Sequence, residues 1–463
     1  MKATLADFAR VCGGVLQGAD ASYAGISTDT RSISAGQLFI ALTGERFNGD
    51  EFVAQAEKAG AVGAVVRVPQ PVAIPQIVVP DTTAALALAA RAWRENFAIP
   101  VVGVAGSNGK TTVKGMTAAI LGQAGETLAT AGNLNNHIGV PLTLFRLNAS
   151  HRFAVVEMGA DRAGEVETLV RIGRPTVGLI TNAGAEHLEG FLSMDGVARA
   201  EGEMVAGLAG DATAIINADD VYAGLWRSMT RARVQSFGVS AGADFSAHEV
   251  HTSITPEGFL TRYTLKCPLG EAVIELHLAG HHNVLNSLCA AAAAAAAGAT
   301  LDQIASGLAL MRPVAGRLQF KRAPGGAMLI DDSYNANPSS VQAGIEVLAQ
   351  VEGRRWLVFA DMGELGDYAV QSHADIGAFA REHGIERLFA TGELARGTAR
   401  AFGAGAEWHP DTTELAAAVN AALAAAGAAA AQVRMLVKGS RFNRLERVVA
   451  ALADSAAGAT GEH

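Results

Sequence analysis

Runs of apolar positions fall along this 463-residue chain in a repeating rhythm. Up to Phe97, short apolar runs at Leu38–Ala41, Val62–Val68 and Ile77–Val79 alternate with helical or turn-rich stretches. Pro100 then precedes Val101-Val102-Gly103-Val104-Ala105, a β-branched run suited to a strand buried on both faces of a parallel sheet. Further strands are predicted at Phe153–Val156, Val177–Thr181 and Ala214–Ile216, with helical spacing between them. A polar, irregular stretch from about Arg231 to Leu276 predicts a β-rich insertion. The alanine run Ala290–Ala297 predicts a close-packed helix, being too weakly apolar and too short to cross a bilayer. Met311-Arg312-Pro313 marks a boundary, after which Met328–Ile330, Trp356–Ala360, Leu388–Ala390 and Met435–Val437 repeat the α/β rhythm as a separate doubly wound unit. The expectation is an α/β chain of three domains, over residues 1–97, 98–312 and 313–463.

Composition narrows the class without naming a function. Half of the residues are hydrophobic and 17% are charged, which fits a compact globular protein. The formal charge of −9 argues against a nucleic-acid partner or an anionic membrane surface. Cys12, Cys267 and Cys289 are far apart and form no Cys-x-x-Cys pair, so neither a disulfide framework nor a zinc site is expected, and a reducing cytoplasm fits. The first residues, MKATLADFARVCGG, interrupt their apolar positions with Asp7 and Arg10, so no signal peptide and no membrane insertion are expected.

The chemistry starts where the 101–105 run ends. Gly106-Ser107-Asn108-Gly109-Lys110-Thr111-Thr112 leads into a helical pattern through Met116, Ile120 and Leu121. Glycines there allow consecutive N–H groups to converge on phosphate oxygens, and the helix N-terminus adds a favourable dipole. Lys110 can reach the β- and γ-phosphates and the Thr111 hydroxyl can ligate Mg²⁺. A strict Walker pattern would have glycine at the position of Val104, so the loop is a variant. In such enzymes a strand-end carboxylate completes the Mg²⁺ site, and Glu157 stands at the end of the 153–156 run. His187, after the 177–181 run, is placed at the same sheet edge and is a second candidate ligand. Read alone, each of these two has a structural alternative, a solvated strand end and a core histidine.

Taken in order, these motifs resemble the Mur ligase family. The resemblance spans nearly the whole chain. It rests on Ser27-Thr28-Asp29-Thr30-Arg31, the phosphate loop, Asn133 through Pro141, Glu157-Met158-Gly159 and Asn182 through His187. It continues through His282-Asn283, Gly316-Arg317, Asp331 through Pro338, Asp361 through Gly366 and Lys438-Gly439-Ser440-Arg441. The Asn133–Pro141 and Asp331–Pro338 stretches are most similar to those of the member that adds D-alanyl-D-alanine to UDP-N-acetylmuramoyl-tripeptide. The resemblance implies a domain for the UDP precursor, a central ATPase and a C-terminal Rossmann-like domain. It also implies ATP and Mg²⁺ as cofactors, an acyl-phosphate route to an amide bond in peptidoglycan synthesis, and a monomer. Carried over by position, Gly106 through Thr112, Asn283, Arg317 and Asp332 would contact ATP, and Thr30, Asn133, Asn135 and Asn136 the UDP-sugar side. Thr111, Glu157 and His187 would serve the metals, with Lys110, Glu157 and His187 as the catalytic set.

One departure changes the metal shell. Relatives carry a lysine in the helix after the histidine, carbamylated so that it offers a carboxylate to the second Mg²⁺. Here that position aligns with Glu201, and no lysine occurs between Lys114 and Lys266. Glu201 is expected to supply the carboxylate directly, on a side chain about three bonds shorter, with a closer helix or a bridging water making up the reach. Two other functions stay open. A folylpolyglutamate-synthase-type ligase shares the scaffold, while a P-loop nucleotide switch would need an Asn-Lys-x-Asp motif that the chain lacks.

Overall fold

The computed structural model describes residues 3–44, 47–185, 188–255 and 258–453. Three sheets of five or six strands follow one another along the chain, each with its own buried cluster. The first has the strand order Val15–Gln17, Gln76–Val78, Gly63–Val66, Gln37–Ile40, Gly25–Ser27, antiparallel at its first pairing and parallel thereafter. Helices Leu5–Cys12 and Thr82–Arg94 bury Leu5, Phe8 and Leu86 against Leu38 and Ile77 of this sheet.

The central sheet is wholly parallel, in the order Thr127–Ala129, Phe153–Glu157, Val101–Ala105, Val177–Ile180, Thr213–Asn217, Arg233–Phe237. Val101–Ala105 lies inside it with every residue buried, which is why its sequence is apolar without alternation. One face is covered by helices Lys110–Gly122 and His281–Ala296, the other by Glu165–Gly173 and Met194–Ala206. Ala290 through Ala294 have no exposed surface, so the alanine run is a core helix whose small side chains permit close approach. The predicted insertion needs correction at its start. Arg233–Phe237 is the sixth strand of the central sheet, and only the strands Ser246–Thr255, Gly258–Cys267 and Gly270–Leu276 form an added antiparallel meander.

The third sheet runs Gln319–Ala323, Ala327–Asp332, Val433–Lys438, Arg354–Ala360, Arg387–Thr391, Ala406–His409. Its first pairing is antiparallel and the rest are parallel, so it is doubly wound with one reversed edge. Thr412–Gln432 is long and apolar enough to cross a membrane by length and composition, a second alanine-rich stretch besides the one at 290–297. Its Leu415, Val419 and Leu423 are buried in the same cluster as Phe389 and Val437 of this sheet.

Candidate active site

The phosphate loop forms where Val101–Ala105 gives way to helix Lys110–Gly122, and its shape depends on two glycines. Gly106 has φ +120°, and a Cβ there would land on Thr181 Oγ1 and 2.7 Å from the Thr181 amide nitrogen. Gly109 has φ +85°, and a Cβ there would collide with Asn286 Oδ1. No side chain at Gly109 caps the helix, so its first amides stay available to an anion.

The loop is braced from the neighbouring strand end. Ser107 N donates to Asn182 O (2.9 Å) and Asn108 N to Asn182 Oδ1 (3.0 Å), while Thr181 Oγ1 and Asn182 Nδ2 donate to Asn108 O (2.6 and 3.0 Å). From below, Gly106 N donates to Glu201 Oε2 at 2.6 Å, with the Glu201 side chain buried on helix Met194–Ala206. Lys110 Nζ donates to Gly106 O and Ser107 O at 2.6 and 3.0 Å.

Glu157, 3% exposed, ends its strand beside this loop. Its Oε1 accepts from Asn135 Nδ2 (3.0 Å) and Thr111 Oγ1 (3.4 Å). Its Oε2 is fully buried and has no hydrogen-bond partner among the described residues, although Lys114 Nζ lies 3.2 Å away as an ion-pair partner. A buried carboxylate whose Oε1 stands beside a threonine hydroxyl suits a hard cation that takes oxygen ligands. Mg²⁺ fits there. Among the described residues no three His, Cys, Asp or Glu side chains cluster closely enough to hold a metal, and His187 lies outside the described residues.

The third sheet supplies the opposite wall. Arg317 Nη2 donates to Thr111 Oγ1 at 3.3 Å, and its guanidinium sits 4.6 Å from the Tyr334 ring centre. Asp332 Oδ2 accepts from Lys438 Nζ at 2.6 Å, and its Oδ1 from Leu318 N at 3.2 Å. Asn337 Nδ2 donates to Asn108 Oδ1 (2.8 Å), and Asn108 Nδ2 to Ser339 Oγ (3.1 Å). The phosphate loop is thereby bonded directly to the start of helix Pro338–Ala349.

A cavity of about 490 Å³ lies between these walls, a size that takes a small-molecule ligand. Of the nucleotide residues expected from sequence, Ser107 through Thr112, Asn283, Arg317 and Asp332 all line it, and Gly106 lies behind. Asn133, Asn135 and Glu157 line it too. A second cavity, about 420 Å³, contains Asn136 and His137 and shares Lys110 and Asn135 with the first. Thr30, in the turn after Gly25–Ser27, lines neither cavity, and nor does Glu201. Lys438, Lys114, Tyr334 and Asn337 had no role assigned from sequence, although Lys438, Tyr334 and Asn337 stand inside the motifs read there.

Burial lowers the pKa of His282, another lining residue, to about 4, with Lys438 and His281 adding to the fall and Asp332 opposing it. The ring is therefore neutral at ordinary pH.

Comparison with known proteins gives matches along most of the chain. Family models match in chain order: Mur ligase family, catalytic domain, over residues 22–94, Mur ligase middle domain over 104–294, and Mur ligase, glutamate ligase domain over 316–441. The chain belongs to the Mur ligase family. A relative from Escherichia coli (strain K12), UDP-N-acetylmuramoyl-tripeptide--D-alanyl-D-alanine ligase, is 42% identical over 98% of each chain. A crystal structure of MurF from Acinetobacter baumannii superposes with a TM-score of 0.91 at 34% identity, covering 97% of this chain and 98% of that one. Another structure from Acinetobacter baumannii, named UDP-N-acetylmuramoylalanyl-D-glutamyl-2,6-diaminopimelate--D-alanyl-D-alanyl ligase, has a TM-score of 0.86 at 33% identity over the same shares. As a Mur ligase, the chain is an ATP-dependent enzyme that forms amide bonds. Its two cavities share Lys110 and Asn135.

Proposed function

We propose that this Mur ligase joins D-alanyl-D-alanine to UDP-N-acetylmuramoyl-tripeptide, making the UDP-linked pentapeptide used in peptidoglycan synthesis. The observation that carries the reading is the junction of the two cavities at Lys110 and Asn135, beside Glu157. It gives two anions, the γ-phosphate and a peptide carboxylate, one cation and one polar side chain in common. The stem carboxylate attacks the γ-phosphorus, the bond to the β–γ bridging oxygen breaks, and ADP leaves. The neutral amine of D-alanyl-D-alanine attacks the resulting acyl phosphate, its proton is lost to solvent, and inorganic phosphate leaves as the amide forms.

The chain's own groups account for the difficult part of that sequence, which is bringing like charges together. Lys110 and the loop amides hold the phosphates, and Asn135 orients Glu157. Thr111, Glu157, His187 and Glu201 would hold Mg²⁺, which when bound neutralises charge on the phosphate oxygens. Glu201 would take the place of the carbamylated lysine of relatives; its buried carboxylate is bonded to the phosphate loop at Gly106 N. Asn283, Arg317 and Asp332 serve ATP, Asn133, Asn135 and Asn136 the precursor near its reacting end, and Thr30 its UDP end. Residues 1–97, 98–312 and 313–463 would be the precursor, ATPase and closing domains. The free cysteines Cys12, Cys267 and Cys289 and the negative charge support a cytoplasmic enzyme without nucleic-acid or anionic-membrane partners.

Phosphate release measured with ATP and UDP-N-acetylmuramoyl-tripeptide tests the reading. D-Alanyl-D-alanine is expected to support turnover and single amino acids are not. A preference for a single amino acid, or for a folate acceptor with glutamate, overturns it.

A further inference from the structure

Arg317 reaches Thr111 from a turn with an unusual backbone. Gly316 has φ +72° and Leu318 has φ +50°, the left-handed region that glycine visits freely and leucine rarely. A leucine stays there only where its surroundings fix it. The polar part of that fixing is local: Arg317 N donates to Val314 O (2.9 Å), Tyr334 N to Gly316 O (3.1 Å) and Leu318 N to Asp332 Oδ1 (3.2 Å). The apolar part is the seat of the Leu318 side chain, which is buried in the cluster of the third sheet with Met328 and Ile330, Phe320 packing at its edge.

Two members of that cluster come from outside the third sheet, Phe259 and Ala279. Phe259 is the second residue of the meander strand Gly258–Cys267. Side chains two apart on a strand share a face, so Phe259, Thr261, Tyr263 and Leu265 form one row. Tyr263 and Leu265 are buried in the cluster of the central sheet, and Thr261 Oγ1 donates to Leu278 O at 2.7 Å. Phe259, the first of the row, is buried instead among third-sheet residues. A Cβ on Gly258 would stand 3.6 Å from Phe320 Cβ, an ordinary contact distance. The meander strand therefore starts against Gln319–Ala323, the strand that Arg317 and Leu318 lead into.

We propose that Phe259 is a positioning residue for Arg317, acting through the seat of Leu318. The proposal rests on the assignment of Arg317 to ATP made above. The Arg317 guanidinium works at the phosphate loop of the central sheet, while its backbone belongs to the third, so its aim depends on how the two are held. Its own bond to Thr111 Oγ1, at 3.3 Å, is a long one. Phe259 supplies a second tie, carried by a strand packed on the central sheet and buried in the cluster that holds Leu318. Without that ring the seat is incomplete and the left-handed backbone at Leu318 relaxes. A rotation about the N–Cα bond of Leu318 turns all of Arg317 relative to strand Gln319–Ala323, and the guanidinium leaves the phosphate loop.

The test is a double-mutant cycle in the full chain, with phosphate release giving kcat and the KM values for ATP and for D-alanyl-D-alanine. Arg317→Ala is expected to raise the ATP KM at least about tenfold, the worth of hydrogen bonds to a charged group. Phe259→Ala is expected to raise the ATP KM severalfold and to leave the D-alanyl-D-alanine KM unchanged. In the Arg317→Ala background it is expected to add nothing further, because the group it positions is gone. Phe259→Leu keeps part of the apolar volume and is read in the same cycle should thermal unfolding show that the alanine variant does not fold; its effect is smaller and of the same sign. An ATP KM raised equally with and without Arg317, an equal rise in both KM values, or no rise where Arg317→Ala gives one, overturns the positioning role. An unchanged ATP KM in Arg317→Ala alone overturns the assignment of Arg317 to ATP, so that one variant tells the two failures apart.

Discussion

Asn337 does two jobs with one side chain, and a single substitution separates them. As the N-cap of helix Pro338–Ala349, its Oδ1 accepts from Ser340 N at 2.9 Å, and Ser340 Oγ accepts from its own backbone N–H at 3.0 Å. Its Nδ2 meanwhile donates to Asn108 Oδ1 at 2.8 Å, joining the third sheet to the phosphate loop. Serine caps a helix about as well as asparagine does, but it is too short to reach Asn108. Asn337→Ser therefore removes the bridge and spares the helix. One neutral hydrogen bond contributes about 0.5–1.5 kcal/mol, so the arrangement with both walls on the nucleotide cavity loses roughly two- to twelvefold in population. The second bridge, Asn108 Nδ2 to Ser339 Oγ, survives and limits the loss. ATP affinity falls by up to that factor, because it is scaled by the fraction of molecules in the competent arrangement. The assay is the ATP KM and kcat of Asn337→Ser, Asn108→Ala and the double variant, with thermal unfolding as a check on the cap. A coupling of about 0.5–1.5 kcal/mol between the two sites is expected. If Asn337→Ser changes the ATP KM equally with and without Asn108, the bridge contributes nothing and the reasoning fails.

Three further outcomes follow from the same site. Glu201→Gln keeps an acceptor for Gly106 N and should fold normally but need more Mg²⁺ for half-maximal turnover and bind it more weakly in calorimetry; unchanged Mg²⁺ dependence and turnover in Glu201→Ala would sink the metal role. Lys114→Ala strands the buried Glu157 carboxylate and is expected to cost about 3–5 kcal/mol in urea unfolding, most of it recovered in an inactive Lys114→Met/Glu157→Gln variant. A loss under 1 kcal/mol would show that the pair is dispensable. His282, with its pKa depressed to about 4 from 6.5, binds fewer protons folded than unfolded between those values, so stability is full above pH 6.5 and falls as pH drops toward 4. The loss is at most about 3 kcal/mol, less for a ring that borders the cavity, and His282→Asn should flatten the urea midpoint between pH 4 and 7 relative to the unsubstituted protein.

What could be read from the sequence was what burial writes into it. Val101–Ala105, Phe153–Glu157 and Val177–Ile180 are sheet-interior strands, buried from end to end, and their apolar runs announced them. Arg233–Phe237 is an edge strand with an exposed Arg233 and half-buried Val234 and Gln235, so its polar letters read as the start of an irregular insertion. Thr127–Ala129 and Ala406–His409 are likewise short edges with partly exposed residues, and they passed unnoticed. The same logic divides the site. The phosphate loop is local, a strand, a turn and a helix within residues 101–122, and its spacing carried it. The contacts that close the site join residues far apart in sequence: Asn108 to Asn337, Thr111 to Arg317, Asp332 to Lys438. No periodicity encodes such pairs. They were accessible only as ordered motifs of a family, without a reason for their order.

The loop lysine shows how the two kinds of information combine. Spacing alone gives Lys110 the task of reaching phosphates, a task any phosphate-loop lysine shares. In the fold its ammonium donates to the carbonyls of Gly106 and Ser107, so it is held over the loop rather than extended along the helix. From there it borders the nucleotide cavity and the second cavity together. A phosphate oxygen taking the place of a carbonyl exchanges a neutral acceptor for a charged one, a gain that needs no long movement of the side chain. On the proposed reading, a peptide carboxylate arriving from the second cavity would meet the same ammonium. The loop that binds one anion is therefore also placed to lower the repulsion that the other must overcome. On that reading it is the double exposure of one lysine, rather than the loop sequence itself, that would suit this fold to ligation instead of simple nucleotide hydrolysis.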